Sequence, residues 1–123
     1  MTASLFEYAV LRVVPRIERG EYVNTGVLLY CQDRDFLGAL VSVDETRLRA
    51  LHPDADVESV RDALEAIRRT CDGDGPAGTT SLGQRFRWLT APRSTVVQAG
   101  PVHVGFADDP ATELARLRDA LVL

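Results

Sequence analysis

The sequence contains no lysine, two cysteines, two histidines and one tryptophan, and these scarcities restrict the functions open to it. All 14 basic residues are arginine, and 18 acidic residues outnumber them, for a net charge of −4. A general nucleic-acid or membrane-surface binder needs a basic face, so this balance disfavours both classes. No apolar run approaches the roughly 20 residues of a membrane span, and no signal peptide pattern opens the chain. We therefore expect a cytoplasmic protein with no membrane segment.

The few cysteines and histidines also argue against the familiar metal sites. Cys31 and Cys71 lie too far apart for a C-x-x-C unit, and the two histidines form neither H-x-x-x-H nor H-x-E. No G-x-S-x-G is present, and neither cysteine has a histidine nearby in sequence, so nucleophilic catalysis has no support. The sequence predicts no metal and no cofactor. Both cysteines occupy apolar positions, which predicts buried free thiols.

Three strands are predicted near the start of the chain, over residues 5–14, 22–31 and 36–43. The first is apolar on both alternating faces except at Glu7 and Arg12, as expected of a central strand. The loop "QDRD" between the second and third is hairpin-like, so an antiparallel meander is expected. Helical spacing follows over residues 56–71, where one apolar stripe runs through Val57, Val60, Leu64, Ile67 and Cys71.

Further elements complete the predicted fold. A short helix follows Asp44, a capping box of Ser81 and Gln84 begins a helix over 82–90, and short strands are expected at 95–98 and 102–106. A last helix begins at Pro110, with Leu114, Leu117 and Leu121 facing inward. A chain of 123 residues suffices for one domain, so we expect a single α+β domain over 1–123. Its antiparallel sheet would carry the helices on one face.

The stretch "PRIERGEYVNTG" (15–26) places several charges at a strand junction. If Val14 pairs with Tyr22, Arg12 lies opposite Asn24 and Val10 opposite Gly26. The planar guanidinium of Arg12 would suit phosphate or carboxylate, with Glu18 or Glu21 as a nearby base. The alternative is an Arg–Glu network that only orders a solvated turn.

Two other places have both a functional and a purely structural interpretation. "GTTSLGQR" could present backbone N–H groups to an anion beside Arg85, or it could simply cap a helix. Trp88 could be an exposed aromatic anchor for a partner, or it could pack under the 72–79 loop.

The blocks "YAVLRVVPRIERGEYVNTGVLLYC", "FLGA" and "LGQRFRWLTAPRSTVVQAGPVHVGFADDP" resemble the bacterial domain-of-unknown-function family 3037. The resemblance covers most of the chain and implies no established activity. It implies a partner, since such proteins are often encoded beside a HipA-like kinase-type protein. It also joins the first block, which ends with "FLGA", and the second block, which begins with "LGQR", into one candidate surface. This surface comprises Arg12, Arg16, Glu18, Arg19, Glu21, Asn24, Arg85, Arg93 and His103.

Two functional hypotheses from different classes remain open. The first is a small accessory module that binds a protein partner through the Arg/Glu-rich surface around residues 12–24. The second is an enzyme acting on a phosphorylated or other anionic substrate, for which the residues provide no orthodox catalytic set. Whether Arg12, Asn24 and Glu21 converge in a concave pocket or lie on an open face distinguishes the two hypotheses.

Overall fold

The chain folds into one five-stranded sheet and four α-helices in the computed structural model, which describes residues 2–123 and, at Ala77, the backbone alone. In chain order the elements are β1 (Ser4–Val13), β2 (Val23–Cys31), β3 (Phe36–Val41), α1 (Glu45–Leu51), α2 (Val57–Cys71), α3 (Leu82–Leu89), β4 (Val97–Ala99), β5 (His103–Ala107) and α4 (Pro110–Leu121). Single-turn 3-10 helices occur at Ile17–Arg19 and Gly75–Thr79. The predicted α+β class is confirmed.

Strand β1 is the centre of the sheet. It pairs antiparallel with β2 along one edge, and β2 pairs antiparallel with β3, which confirms the predicted meander. The other edge of β1 is shared by two strands: its first half pairs with β5 and its last residues pair with β4. β1 also has apolar residues on both faces, as expected of a strand that is covered on both faces. Within the described chain, no strand pairs with the outer edges of β4 and β5.

Helices cover both faces of the sheet, so the expectation of a single covered face was wrong. Helices α1, α2 and α3 pack on one face, in a cluster with Leu11, Val13 and Leu28 of the sheet. Helix α4 packs on the opposite face, against Val27 and Leu29. The order of strands before helices suggested one covered face, but it carries no information on the face that each helix takes. The alternation of β2 decides it, because neighbouring apolar side chains point to opposite faces.

Helix α4 uses a slightly different apolar stripe from the predicted one. Leu114 and Leu117 are buried as expected, but Leu121 is 37% exposed and Val122 is buried in its place. Leu121 is the last residue of α4, and Val122 follows it as the C-cap. The inward position is therefore taken just beyond the end of the regular helix.

A β-bulge at Thr25 changes the register between β1 and β2. Arg12 lies opposite Asn24 as predicted, whereas Gly26 lies opposite Leu11 and not opposite Val10. The extra residue, Thr25, is fully buried, and its hydroxyl donates to the Leu11 carbonyl oxygen at 3.2 Å. A side chain at Gly26 would bring its Cβ to 2.9 Å from the Leu40 carbonyl oxygen, so the sheet requires glycine there.

Several local predictions are confirmed. The capping box of Ser81 and Gln84 begins α3, and Cys31 and Cys71 are buried free thiols. Burial raises the pKa of the Cys71 thiol to about 12. Along residues 2–123, no helix combines the length and the apolar character needed to cross a bilayer.

Candidate functional site

A concavity lies beside α2 and is called here the α2 cleft. Its volume is about 550 Å³, within the range of ligand and peptide pockets. Buried Val13, Val60 and Leu89 form part of its lining. Ala63 and Ala66 of α2 also line it, and their short side chains leave space that larger residues would fill. The remaining lining residues are Pro15, His52, Asp54, Ala55, Asp56, Ser59, Ile67, Thr70, Trp88, Arg93, Thr95, Val96 and Val97.

Trp88 and Arg93 form the most distinctive pair in the α2 cleft. Trp88 is 60% exposed, so it does not pack under the 72–79 loop as one interpretation held. The Arg93 guanidinium lies over the indole, with its Cζ 5.0 Å from the ring centroid. The same guanidinium donates to the Trp88 carbonyl oxygen. Both side chains are therefore held in place at the surface, and Trp and Arg are the residues most enriched at binding hot spots.

Polar residues from the turn between α1 and α2 also line the cleft. His52 is the C-cap of α1, and Asp54 and Asp56 lie in the turn between the two helices. Asp56 caps α2 by accepting hydrogen bonds from the Ser59 backbone N–H at 3.1 Å and the Ser59 hydroxyl at 2.7 Å. These bonds, the hydroxyl first, lower the pKa of Asp56. One part of the lining is thus acidic, while Arg93 contributes a positive charge.

A second depression of about 370 Å³ adjoins the α2 cleft, because Pro15 and His52 line both. It also contains Arg16, Arg19 and Glu21, which belong to the Arg/Glu junction, defined here as residues 15–21. The two depressions lie side by side, and together, from the Arg/Glu junction to Trp88, they are called here the groove. Three of the predicted candidates from the first sequence block thereby share a surface with Arg93 from the second.

The charges of the Arg/Glu junction are paired with each other. Arg16 Nε donates to Glu18 Oε1 at 2.8 Å, and Arg19 donates to both carboxylate oxygens of Glu21. A left-handed Gly20 with φ of 71° closes the short 3-10 turn between them. The side chains of both pairs are largely exposed, so the pairs contribute little to stability.

The pKa values of Glu18 and Glu21 are both lowered. For Glu18 the causes are a hydrogen bond from its own backbone N–H and then that from Arg16; for Glu21 the main cause is the hydrogen bond from Arg19. A general base works best with a pKa near the operating pH, and a lowered carboxylate pKa moves away from it. The pKa values of Glu18 and Glu21 are thus poorly matched to the work of a general base at neutral pH.

Arg12, Asn24 and His103 lie on the other face of the sheet, the face covered by α4. Asn24 donates from Nδ2 to the Leu121 carbonyl oxygen at 3.1 Å. His103 lies opposite Tyr8 in the sheet, with the ring centroids 5.2 Å apart. The sequence resemblance joined these residues with the Arg/Glu junction, but the sheet separates them from the groove.

Arg12 is held firmly on that face. Its Cζ lies 4.2 Å from the centroid of the Tyr22 ring, and a Cβ at Gly100 would approach its Nη2 to 2.1 Å. Its Nε is buried and has no hydrogen-bond partner in the part of the chain that the structure describes. The Arg12 guanidinium is therefore confined between Tyr22 and Gly100, and it lies outside the groove.

Arg85 lies in a third place, at the end of α2. It donates to the Cys71 carbonyl oxygen at 3.3 Å and to the Thr80 carbonyl oxygen at 3.0 Å. A cation beside the C-terminal carbonyls of a helix is favourable to the helix dipole. These contacts give Arg85 a structural role in joining the 72–80 loop to α2.

The sequence indicated the charged part of the groove but missed its walls. His52, Asp54 and Val96 were not candidates, because a cleft depends on how α2 packs against the segment around β4. Two features of the sequence could have indicated the cleft: the small residues Ala63 and Ala66 on one side of α2, and Trp88 on the less apolar side of α3. Across residues 2–123, no group of three or more His, Cys, Asp or Glu side chains could hold a metal ion.

Comparison with known proteins identifies a family and no individual relative. No curated protein and no solved structure matches the chain. The family described as "Protein of unknown function (DUF3037)" matches residues 8–122, which is nearly the whole chain. The resemblance of the two sequence blocks is thereby confirmed, and the chain belongs to the DUF3037 family.

Proposed function

We propose that this protein is an accessory module that binds a protein partner through the α2 cleft and the adjoining Arg/Glu junction. The observation that carries the proposal is that the two depressions of the groove adjoin each other. Pro15 and His52 line both of its parts, and the exposed Trp88 and Arg93 lie in the larger part. Two adjoining depressions of about 550 and 370 Å³ offer room for more than one side chain of a partner.

The composition of the groove supports a partner segment that contains both apolar and charged side chains. An apolar side chain of the partner would enter beside Ala63, Ala66 and Ile67, where the lining is mostly apolar. The rim offers Arg93 at one part and the paired charges of the junction at the other. Interfaces combine an apolar centre, aromatic and arginine anchors, and a polar rim in this way.

A HipA-like kinase-type protein is the first partner to test, because the family resemblance implies one beside this chain. We place the pair in the cytoplasm, where the two buried free thiols of Cys31 and Cys71 would stay reduced. The enzyme alternative receives no comparable support. Its two carboxylates, Glu18 and Glu21, are neutralised by neighbouring arginines, and Arg12 lies on the other face.

The experiment is an affinity measurement by calorimetry with a purified HipA-like kinase-type protein from the same genome. Trp88→Ala and Arg93→Ala should each weaken binding about thirtyfold or more, because hot-spot truncations commonly have that effect. Arg16→Ala and Arg19→Ala should weaken it without changing the melting temperature, since their ion pairs are exposed.

The control is Arg116→Ala, an exposed arginine on α4 that is ion-paired with Glu113 as the junction arginines are with their glutamates. It should bind like the unaltered protein. Equal losses at Arg116 and at Trp88 would contradict the groove as the binding surface. Absence of binding by the unaltered protein would contradict the choice of partner.

A further inference from the structure

Strand β5 combines an open edge with exposed apolar side chains. Its one strand partner in the described chain is β1, so its outer backbone edge has no strand beside it. Val104 is 66% exposed and Phe106 is 72% exposed. Phe106 lies opposite Leu5 of β1, which is 48% exposed. The side chains of Leu5, Val104 and Phe106 share one face of the sheet, the α3 side, and form one apolar strip there.

Natural sheets usually protect such an edge with charged side chains, and β5 contains no Asp, Glu, Lys or Arg. Residues 94–107 contain no Asp, Glu, Lys or Arg, although about a quarter of the whole sequence is charged. An exposed, uncharged edge strand with large apolar side chains is a surface that pairs with another strand. Because two copies of a chain with net charge −4 repel each other, the uncharged edge is the part where they can approach most easily.

We propose that β5 pairs with β5 of a second copy, so that two sheets join into one across a twofold axis. An antiparallel pair centred on Gly105 places Val104 of each copy opposite Phe106 of the other. Directly opposite residues share a face, so the strip of Leu5, Phe106 and Val104 continues from one copy into the next.

The charges that flank β5 do not oppose this pairing. In the register centred on Gly105, Asp108 lies opposite Val102 of the second copy and Asp109 lies opposite Pro101. The acidic residues of one copy therefore do not face those of the other. The same edge on both copies makes the contact isologous, which closes at two chains and does not build a filament.

The surface is independent of the proposed partner groove. The groove lies beside α2, and Val104 and Phe106 lie at the opposite side of β1 from β2. A failure of the dimer would leave the groove proposal untouched, and the reverse also holds.

The test is sedimentation velocity of the whole chain from low to high micromolar concentration. The unaltered protein should sediment at twice its chain mass of 13.5 kDa, and Phe106→Lys and Val104→Lys should each sediment as one chain. Both side chains are mostly exposed, so both variants should keep the original melting temperature. If one of them fails to fold, the other still gives the answer.

Leu123→Lys is the matched control, since it places a lysine at an exposed leucine beyond the end of α4. This variant should remain a dimer. A single chain mass for the unaltered protein at every concentration would overturn the proposal. So would a dimer that persists in both β5 variants, or an assembly larger than two chains.

Discussion

Replacing Leu64 with alanine tests whether α2 is fixed to the sheet through its apolar stripe. Leu64 is 1% exposed and belongs to the cluster formed by α1, α2, α3 and the sheet. Removing three buried carbons at about 0.8 kcal/mol each gives about 2.4 kcal/mol of lost transfer free energy. The cavity left behind adds to this, within the usual total of about 2–5 kcal/mol for such a substitution.

Urea denaturation followed by circular dichroism is the suitable measurement. Tryptophan fluorescence would be a poor signal, because Trp88 is already 60% exposed in the folded protein. A domain of this kind has about 5–15 kcal/mol of stability, so the Leu64→Ala variant should remain folded in water. Its midpoint should fall while the slope with urea stays the same, since the surface exposed on unfolding hardly changes.

Leu121→Ala is the comparison, because it removes the same three carbons from a leucine that is 37% exposed. Its expected loss is about 1–1.5 kcal/mol, since part of the side chain is already in water and solvent fills the space. A loss at Leu64 below roughly 0.5 kcal/mol would refute the packing of α2 on the sheet. So would a loss at Leu64 no larger than the loss at Leu121.

Two further predictions concern titratable groups. Cys31 and Cys71 should react slowly with a thiol reagent in the folded protein and rapidly after denaturation, since both are buried and the pKa of Cys71 is raised to about 12; prompt labelling of the folded protein would contradict this. Asp56 has a lowered pKa, so the stability that its cap contributes is present above the ordinary aspartate pKa and is lost as the pH falls through the lowered value. In NMR titrations Ser59→Ala should raise the Asp56 pKa, and an unchanged value would show that the Ser59 hydroxyl is not the main cause.

Much of the fold could be predicted because its local signals are strong. The predicted strand at 22–31 and the observed β2, Val23–Cys31, differ by one residue, and the capping box of Ser81 and Gln84 marks the start of α3 correctly. Alternation of apolar residues and helix capping are effects of near neighbours, so they can be seen in a short window of sequence.

The features that were missed depend on residues far apart in the chain. The bulge at Thr25 changes which residues of β1 and β2 face each other. A bulge is defined by the pairing of two strands, so the sequence of one strand alone does not reveal it. The face of the sheet on which α4 packs also depends on residues far apart in the chain. The apolar character of both faces of β1 indicates a central strand, and it equally indicates that helices cover both faces.

The candidate site shows the same division between local and distant information. The charged residues of the Arg/Glu junction were identified from their density in twelve letters of sequence. Their neighbours in the groove, such as Trp88 and Arg93, come from a segment about seventy residues later, and only the packing of α2 brings the two together. The sheet separates Arg12 from them although it is close in sequence.

The central position of β1 has a consequence for how the protein folds during its synthesis. Leu5 pairs with Phe106, about 100 residues later, while β2 and β3 follow β1 directly. The ribosome adds about 5–20 residues per second, so roughly 5–20 seconds pass between the synthesis of β1 and the synthesis of β5, its last partner. In that interval the meander can form while the edge that β4 and β5 will cover is open to other nascent chains. Because late pairing between distant segments also slows folding, we expect the completed sheet to form only after the end of β5 has left the ribosome.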